Sequence, residues 1–150
     1  MLKRLAFIAA GSAVVLTGIA ANAQDSEVHY LFNALTRNGV VVLKGGTTGE
    51  CADPQLYGFY NPANRSLTLC DRSTGKWKTL KHEAWHAVQH CWGGPVATKY
   101  TKARHLEALR KLGYPEHQLY TEADARFAAE GLDGFQIGAA LDKACAPFRF

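Results

Sequence analysis

Apolar residues recur at three- and four-residue steps from Ser26 to Arg37, where Val28, Leu31, Phe32 and Leu35 fall on one stripe, so the spacing predicts a short amphipathic helix. Asn38-Gly39 ends it. Val40 to Leu43 is a β-branched run suited to a buried strand, and Gly45-Gly46 breaks it. Tyr57 to Tyr60 and Ser66 to Cys70 are strand-like pieces around Asn61-Pro62-Ala63-Asn64, a connection rich in turn formers, which predicts a β-hairpin. The period then changes. Ser73 or Thr74 can cap a helix from about Lys76 to Trp92, with Leu80, Ala84, Val88 and Cys91 on one stripe and Gly93-Gly94-Pro95 as its stop. Three further helices are predicted: Thr101 to Leu112, Pro115 to about Glu130, and Phe135 to Lys143. The chain thus reads as α+β, with an N-terminal helix and a small sheet containing antiparallel strands, followed by a helical half.

The stretch before this pattern has no such period. Lys3 and Arg4 precede an apolar run from Leu5 to Ile19, and Ala21-Asn22-Ala23 places small residues where a signal peptidase reads them. Residues 1–23 are therefore expected to be a signal peptide and residues 24–150 a single domain. No other stretch is apolar enough to span a bilayer, so no stable membrane span is expected after cleavage. The expected location is exported, periplasmic or secreted.

With 150 residues, 47% of them apolar, the chain can bury one modest core and not two. It carries 17 Lys and Arg against 13 Asp and Glu. Without Lys3 and Arg4 the excess falls to two, too small for a nucleic-acid-binding domain. Lys99, Lys102, Arg104, Arg110 and Lys111 are read as the solvated face of the helix from Thr101. An exported chain with four cysteines and no C-x-x-C pair points to two disulfides and not to a metal cluster. Three pairings are open; Cys51–Cys70 with Cys91–Cys145 is preferred, because the first staples the strand region and the second ties a helix end to the C-terminal tail.

The chemistry sits in His82-Glu83-Ala84-Trp85-His86, an H-E-x-x-H on the helix from Lys76 to Trp92. Four residues turn a helix through about 400° and raise it by about 6 Å, so both imidazoles leave one face and can grip one Zn²⁺. Glu83 lies beside that face, placed to take a proton from a metal-activated water. His90 continues the run, but it stands about 12 Å along the axis from His82, too far to share the ion. It is expected to be exposed or to support the ligands from behind.

The third ligand must come from another element. The Gly and third His of the metzincin pattern are replaced here by Gln89 and Trp92. The sequence resembles the gluzincin metallopeptidases, in which a Glu on a following helix completes the site, and Tyr120-Thr121-Glu122-Ala123-Asp124-Ala125 looks like that element. In layout it resembles the small metallopeptidase domains of exported bacterial proteins. The resemblance implies a minimal zincin-like fold with His82, His86 and Glu122 holding zinc. Tyr120 occupies the place that the liganding Glu takes four residues before the Asp in one common gluzincin arrangement, which keeps Asp124 and Glu130 open as rival ligands. With Glu122 on the metal, Asp124 becomes an acceptor for an imidazole N–H. The resemblance further implies an edge strand beside the metal helix, here in the hairpin from Tyr57 to Cys70, holding substrate in extended form.

These expectations describe a secreted or periplasmic zinc-dependent peptidase acting on a peptide or protein, with Glu83 as general base. The alternative is a catalytically inert, disulfide-stabilised zinc-binding interaction module. His105, His117, Tyr100 and Tyr120 are the candidates for stabilising the oxyanion. The oligomeric state is open.

Overall fold

The computed structural model describes residues 13–73, 75–96 and 103–148. Among the described residues, five α-helices and three short strands follow one another: α1 (Ala13–Arg37), β1 (Val41–Lys44), β2 (Gly58–Asn61), β3 (Ser66–Leu69), α2 (Lys76–Trp92), α3 (Ala103–Lys111), α4 (Glu116–Gly131) and α5 (Gly134–Cys145). The fold is α+β. The expected start of the first helix at Ser26 is corrected: α1 begins at Ala13 and runs through Ala23 without a break. Lys3, Arg4, Thr74, Lys99, Tyr100, Thr101 and Lys102 lie outside the described residues.

β2 and β3 form the expected hairpin, and β1 lies parallel to β3, so the strand order is β1-β3-β2. β3 is the central strand and is largely buried. The expectation that the Val40 to Leu43 run is buried holds for Val40, in the core, and in part for Val42, but β1 is an edge strand, with Val41 56% and Leu43 45% exposed. β-branched residues satisfy a pleated backbone wherever it lies, and a run of four apolar residues does not say how many faces are covered.

α2 is the hub. It packs against α5, α4 and the sheet, and the main core gathers Leu31 and Leu35 of α1, Leu67 of β3, Leu80 and Val88 of α2, and Leu141 of α5. Leu109, Leu119 and Ala123 make a smaller cluster between α3 and α4. Ala125 and Ala128 are fully buried in the main core, and these small side chains let α4 approach α2 closely. Gly93 takes the left-handed conformation at φ 88° and donates its N–H to the Gln89 carbonyl, ending α2 where the lack of a Cβ removes the steric cost of that conformation. The expected Ser73 cap is not formed: Gly75 precedes the helix, and the Ser73 hydroxyl instead meets Thr79 Oγ1 at 2.9 Å.

Cys51 pairs with Cys70 and Cys91 with Cys145. The first ties the turn after β1 to the end of β3; the second ties the end of α2 to the end of α5. Two disulfides are characteristic of proteins outside the reducing cytosol. Among the described residues, no helix is long and apolar enough to cross a membrane.

Candidate metal centre

α2 is regular through His82 and His86, so the two imidazoles project from one face, one turn apart. α4 crosses that face and presents Glu122. His82 Nε2 and His86 Nε2 stand 3.2 Å apart, and the Glu122 carboxylate oxygens lie 3.3 Å from the first and 3.5 Å from the second. Two ligand atoms bonded at about 2.0–2.1 Å to one ion, at the tetrahedral angle, stand about 3.3–3.4 Å apart. The nitrogens at 3.2 Å come close to that spacing, as do the two Glu122 oxygens, Oε2 at 3.3 Å from His82 and Oε1 at 3.5 Å from His86. These side chains could hold a metal ion.

Burial and neighbouring charges shift two of the three side chains. Burial, reinforced by neighbouring His82, holds the His86 imidazole below its ordinary value, which favours the form with a lone pair to give. Burial pushes the Glu122 carboxyl up, but the hydrogen bond from His82 and the charges of His86, His82 and Arg126 outweigh it, and the group ends below the usual carboxylate range. His86 Nδ1 meets Gln89 Oε1 at 2.8 Å, which turns Nε2 toward Glu122.

Asp124 and Glu130, the rival ligands, are engaged elsewhere. Asp124 is fully buried, and its Oδ2 accepts from Trp85 Nε1 at 2.8 Å, from Gln89 Nε2 at 2.8 Å and from the Val96 backbone N–H at 3.0 Å. It reaches the site through an intermediary: Asp124 fixes the Gln89 amide, and Gln89 fixes His86. The expectation of Asp124 as the acceptor for an imidazole N–H is corrected accordingly. Glu130 binds Arg104 at 2.7 Å, His105 at 3.1 Å and Lys78 at 3.5 Å, tying α4 to α3 and to the start of α2.

Glu83 is buried to 5% exposure beside the ligands. Burial pushes its carboxyl up, to about 7, and the Glu122 charge adds to this, while His82 and a hydrogen bond from the Tyr60 backbone N–H pull the other way. That bond follows from strand pairing. The Cys70 N–H donates to the Tyr57 carbonyl, so on β2 the alternate residues Gly58 and Tyr60 turn their main-chain groups away from β3. Gly58 permits the contact: a Cβ there would stand 2.8 Å from the Thr68 carbonyl oxygen, 2.8 Å from Thr79 Cγ2 and 3.4 Å from Glu83 Cγ.

His82, His86, Glu122 and Glu83 open into a cleft of about 580 Å³ between β2 and α4, with α2 as its floor. His90 is exposed at this cleft, with its Nδ1 2.9 Å from the Tyr60 hydroxyl, and is not a ligand. Of the oxyanion candidates, His105 is buried against Glu130, while His117 and Tyr120 are exposed outside the cleft lining. The cleft holds instead Tyr114, from the turn between α3 and α4. Burial and the Glu122 charge raise its phenol above the ordinary value, against the pull of Arg126, so it stays protonated as a donor. Sequence reasoning missed both Gln89 and Tyr114. Gln89 carried one signal, its place three residues after His86 on the same helical face; Tyr114 carried none.

No protein-family model matches the chain, and neither does a curated protein or a solved structure. The likeness to gluzincins therefore rests on the motif residues themselves.

Proposed function

We propose that this protein is an exported zinc metallopeptidase that hydrolyses peptide bonds in the cleft beside β2, with His82, His86 and Glu122 as metal ligands and Glu83 as general base. The observation that carries the reading is the triangle of two imidazole nitrogens and a carboxylate oxygen, open on one side to a cleft and flanked by a buried acid. Two nitrogens and one oxygen suit zinc, and three protein ligands with an open fourth position are the pattern of a catalytic site and not of a closed structural one. Export is supported by the charged, apolar and small-residue pattern of residues 1–23 and by the two disulfides.

Zinc, when bound, supplies Lewis acidity, lowering the pKa of water toward neutrality and polarising a carbonyl. The chain's own residues do the rest. Glu83, held by the Tyr60 N–H and poised near neutrality, accepts a proton from water at its carboxylate and returns it to the departing amine. Tyr114 offers its phenolic proton to the negative charge that develops on the substrate carbonyl oxygen. Gln89 holds His86 so that Nε2 faces the ion. β2 is an edge strand that lines the cleft, and a peptide can lie extended along it.

Glu83→Gln separates this reading from an inert zinc-binding module. The variant should keep about one zinc per chain and its fold, and should lose hydrolysis of peptides that the native protein cleaves. Undiminished cleavage removes Glu83 as the base. A native protein that holds zinc and cleaves nothing is the module.

A further inference from the structure

On the peptidase reading above, we propose that His90 and Gln118 form a subsite one helical turn from the metal ligands, that it selects peptides with a carboxylate or carboxamide side chain near the bond that is cut, and that Tyr60 aims His90 into it. The first support is register. His86 meets Glu122, Gln89 bonds the Thr121 carbonyl and Lys78 pairs with Glu130, so α2 and α4 run antiparallel. One turn on from His86 is His90, and one turn back from Glu122 is Gln118. The facing pair at the metal site is thus followed by a second facing pair about 6 Å farther along, and both of its members line the cleft. That distance is about two extended residues, which places the subsite close to the reacting bond.

The second support is that both side chains are free to bond a substrate. His90 and Gln118 are exposed, and the Gln118 amide has no partner among the described residues. His90 Nδ1 lies 2.9 Å from the Tyr60 hydroxyl. Burial holds that phenol above its ordinary value against the pull of Arg65, which can only donate to it, so the phenol keeps its proton and gives it to Nδ1. His90 Nε2 then carries a hydrogen with no acceptor among the described residues, and an imidazolium ring would present the same N–H. The pair therefore offers N–H donors from two helices, which suits the oxygens of a carboxylate or carboxamide. The third support is the surroundings. Arg126 stands one turn from Glu122 in the opposite direction and is engaged with Glu122 and Tyr114, which leaves the His90 end of the cleft to His90 and Gln118. Beyond His90 the cleft is lined by Gly93 and Gly94, whose lack of side chains leaves room for a group of the substrate.

The test uses the zinc-loaded protein and a library of twelve-residue peptides randomised in sequence, with cuts read by mass spectrometry. The expected result is about tenfold enrichment of Asp, Glu, Asn or Gln over Ala at one fixed position within two residues of the cut. Separate counts for the acids and the amides tell which of the two the subsite favours. His90→Ala and Gln118→Ala, both at exposed positions, should each reduce the enrichment to about threefold or less by raising KM for the favoured peptides, with zinc content and melting temperature as in the native protein. Tyr60→Phe should reduce it too, because the ring loses the hydroxyl that aims it; undiminished enrichment overturns the role of Tyr60. No enrichment of these residues near the cut, or one that His90→Ala and Gln118→Ala leave unchanged, overturns the inference and leaves the peptidase reading standing. Absence of any cleavage by protein shown to hold zinc overturns the peptidase reading, and this inference with it.

Discussion

At the scale of single residues, the site depends on an amide as much as on its ligands. Gln89 takes the His86 Nδ1 proton on one side and gives its own protons to Asp124 and to the Thr121 carbonyl on the other. It thus links both metal-facing helices through one buried side chain. Gln89→Leu should lower zinc affinity by about 10- to 100-fold, measured by competition with a chromogenic chelator; unchanged affinity would mean that the helix alone orients His86. Tyr114→Phe removes only a hydroxyl, so zinc content should stay constant while kcat falls by about 100-fold. A kcat equal to the native value would remove Tyr114 from the chemistry. The facing pair His82 and His86, with Glu83 beside them, was legible in the sequence because helical periodicity fixes where residues four apart must point. Gln89 and Tyr114 were not, because their roles depend on what crosses them from α4 and from the turn before it.

At the scale of elements, two contacts set the cleft. Small alanines on α4 bring Glu122 to α2, and the bare backbone of Gly58 brings β2 against Thr79 and Glu83. Gly58→Ala puts a methyl group 2.8 Å from a backbone oxygen that cannot step aside. The expected cost is about 1–3 kcal/mol in thermal or denaturant unfolding, together with a slower reaction as β2 moves off Glu83. A variant as stable and as active as the native protein would show that the strand has room to shift. Periodicity alone located the helices of the second half and the hairpin, since both are written in local residues. It did not reveal that β1 is an exposed edge, because which strand sits in the middle is decided by pairing between residues distant in sequence. Nor did it reveal that α2 starts without a Ser73 cap, because that hydroxyl finds Thr79 instead.

At the scale of the whole molecule, a modest core is held by cross-links and by a charged cluster on Glu130. The Cys91–Cys145 bridge closes a separation of 54 residues and the Cys51–Cys70 bridge one of 19. In the chain-entropy model these stabilise by about 4 and about 3 kcal/mol, so replacing the first pair by Ala should lower the melting temperature further than replacing the second. Equal losses would point to local strain and not to chain entropy. For Glu130, burial raises the carboxyl, but the hydrogen bond and charge of His105, with Lys78 and Arg104, outweigh burial and hold it below its ordinary 4.5. A depressed carboxyl stabilises the fold above its unfolded-state value and ceases to do so as pH falls through the folded one. The native protein should therefore lose melting temperature below about pH 4.5 more steeply than Glu130→Gln; matching pH profiles would show that the cluster contributes nothing. The most direct test of the whole account is an anomalous-scattering map at the zinc edge from crystals of the zinc-loaded protein. The account predicts one peak per chain, about 2.0–2.2 Å from His82 Nε2, His86 Nε2 and a Glu122 carboxylate oxygen. A map without a peak there, or with zinc held by Asp124 or Glu130, would contradict it.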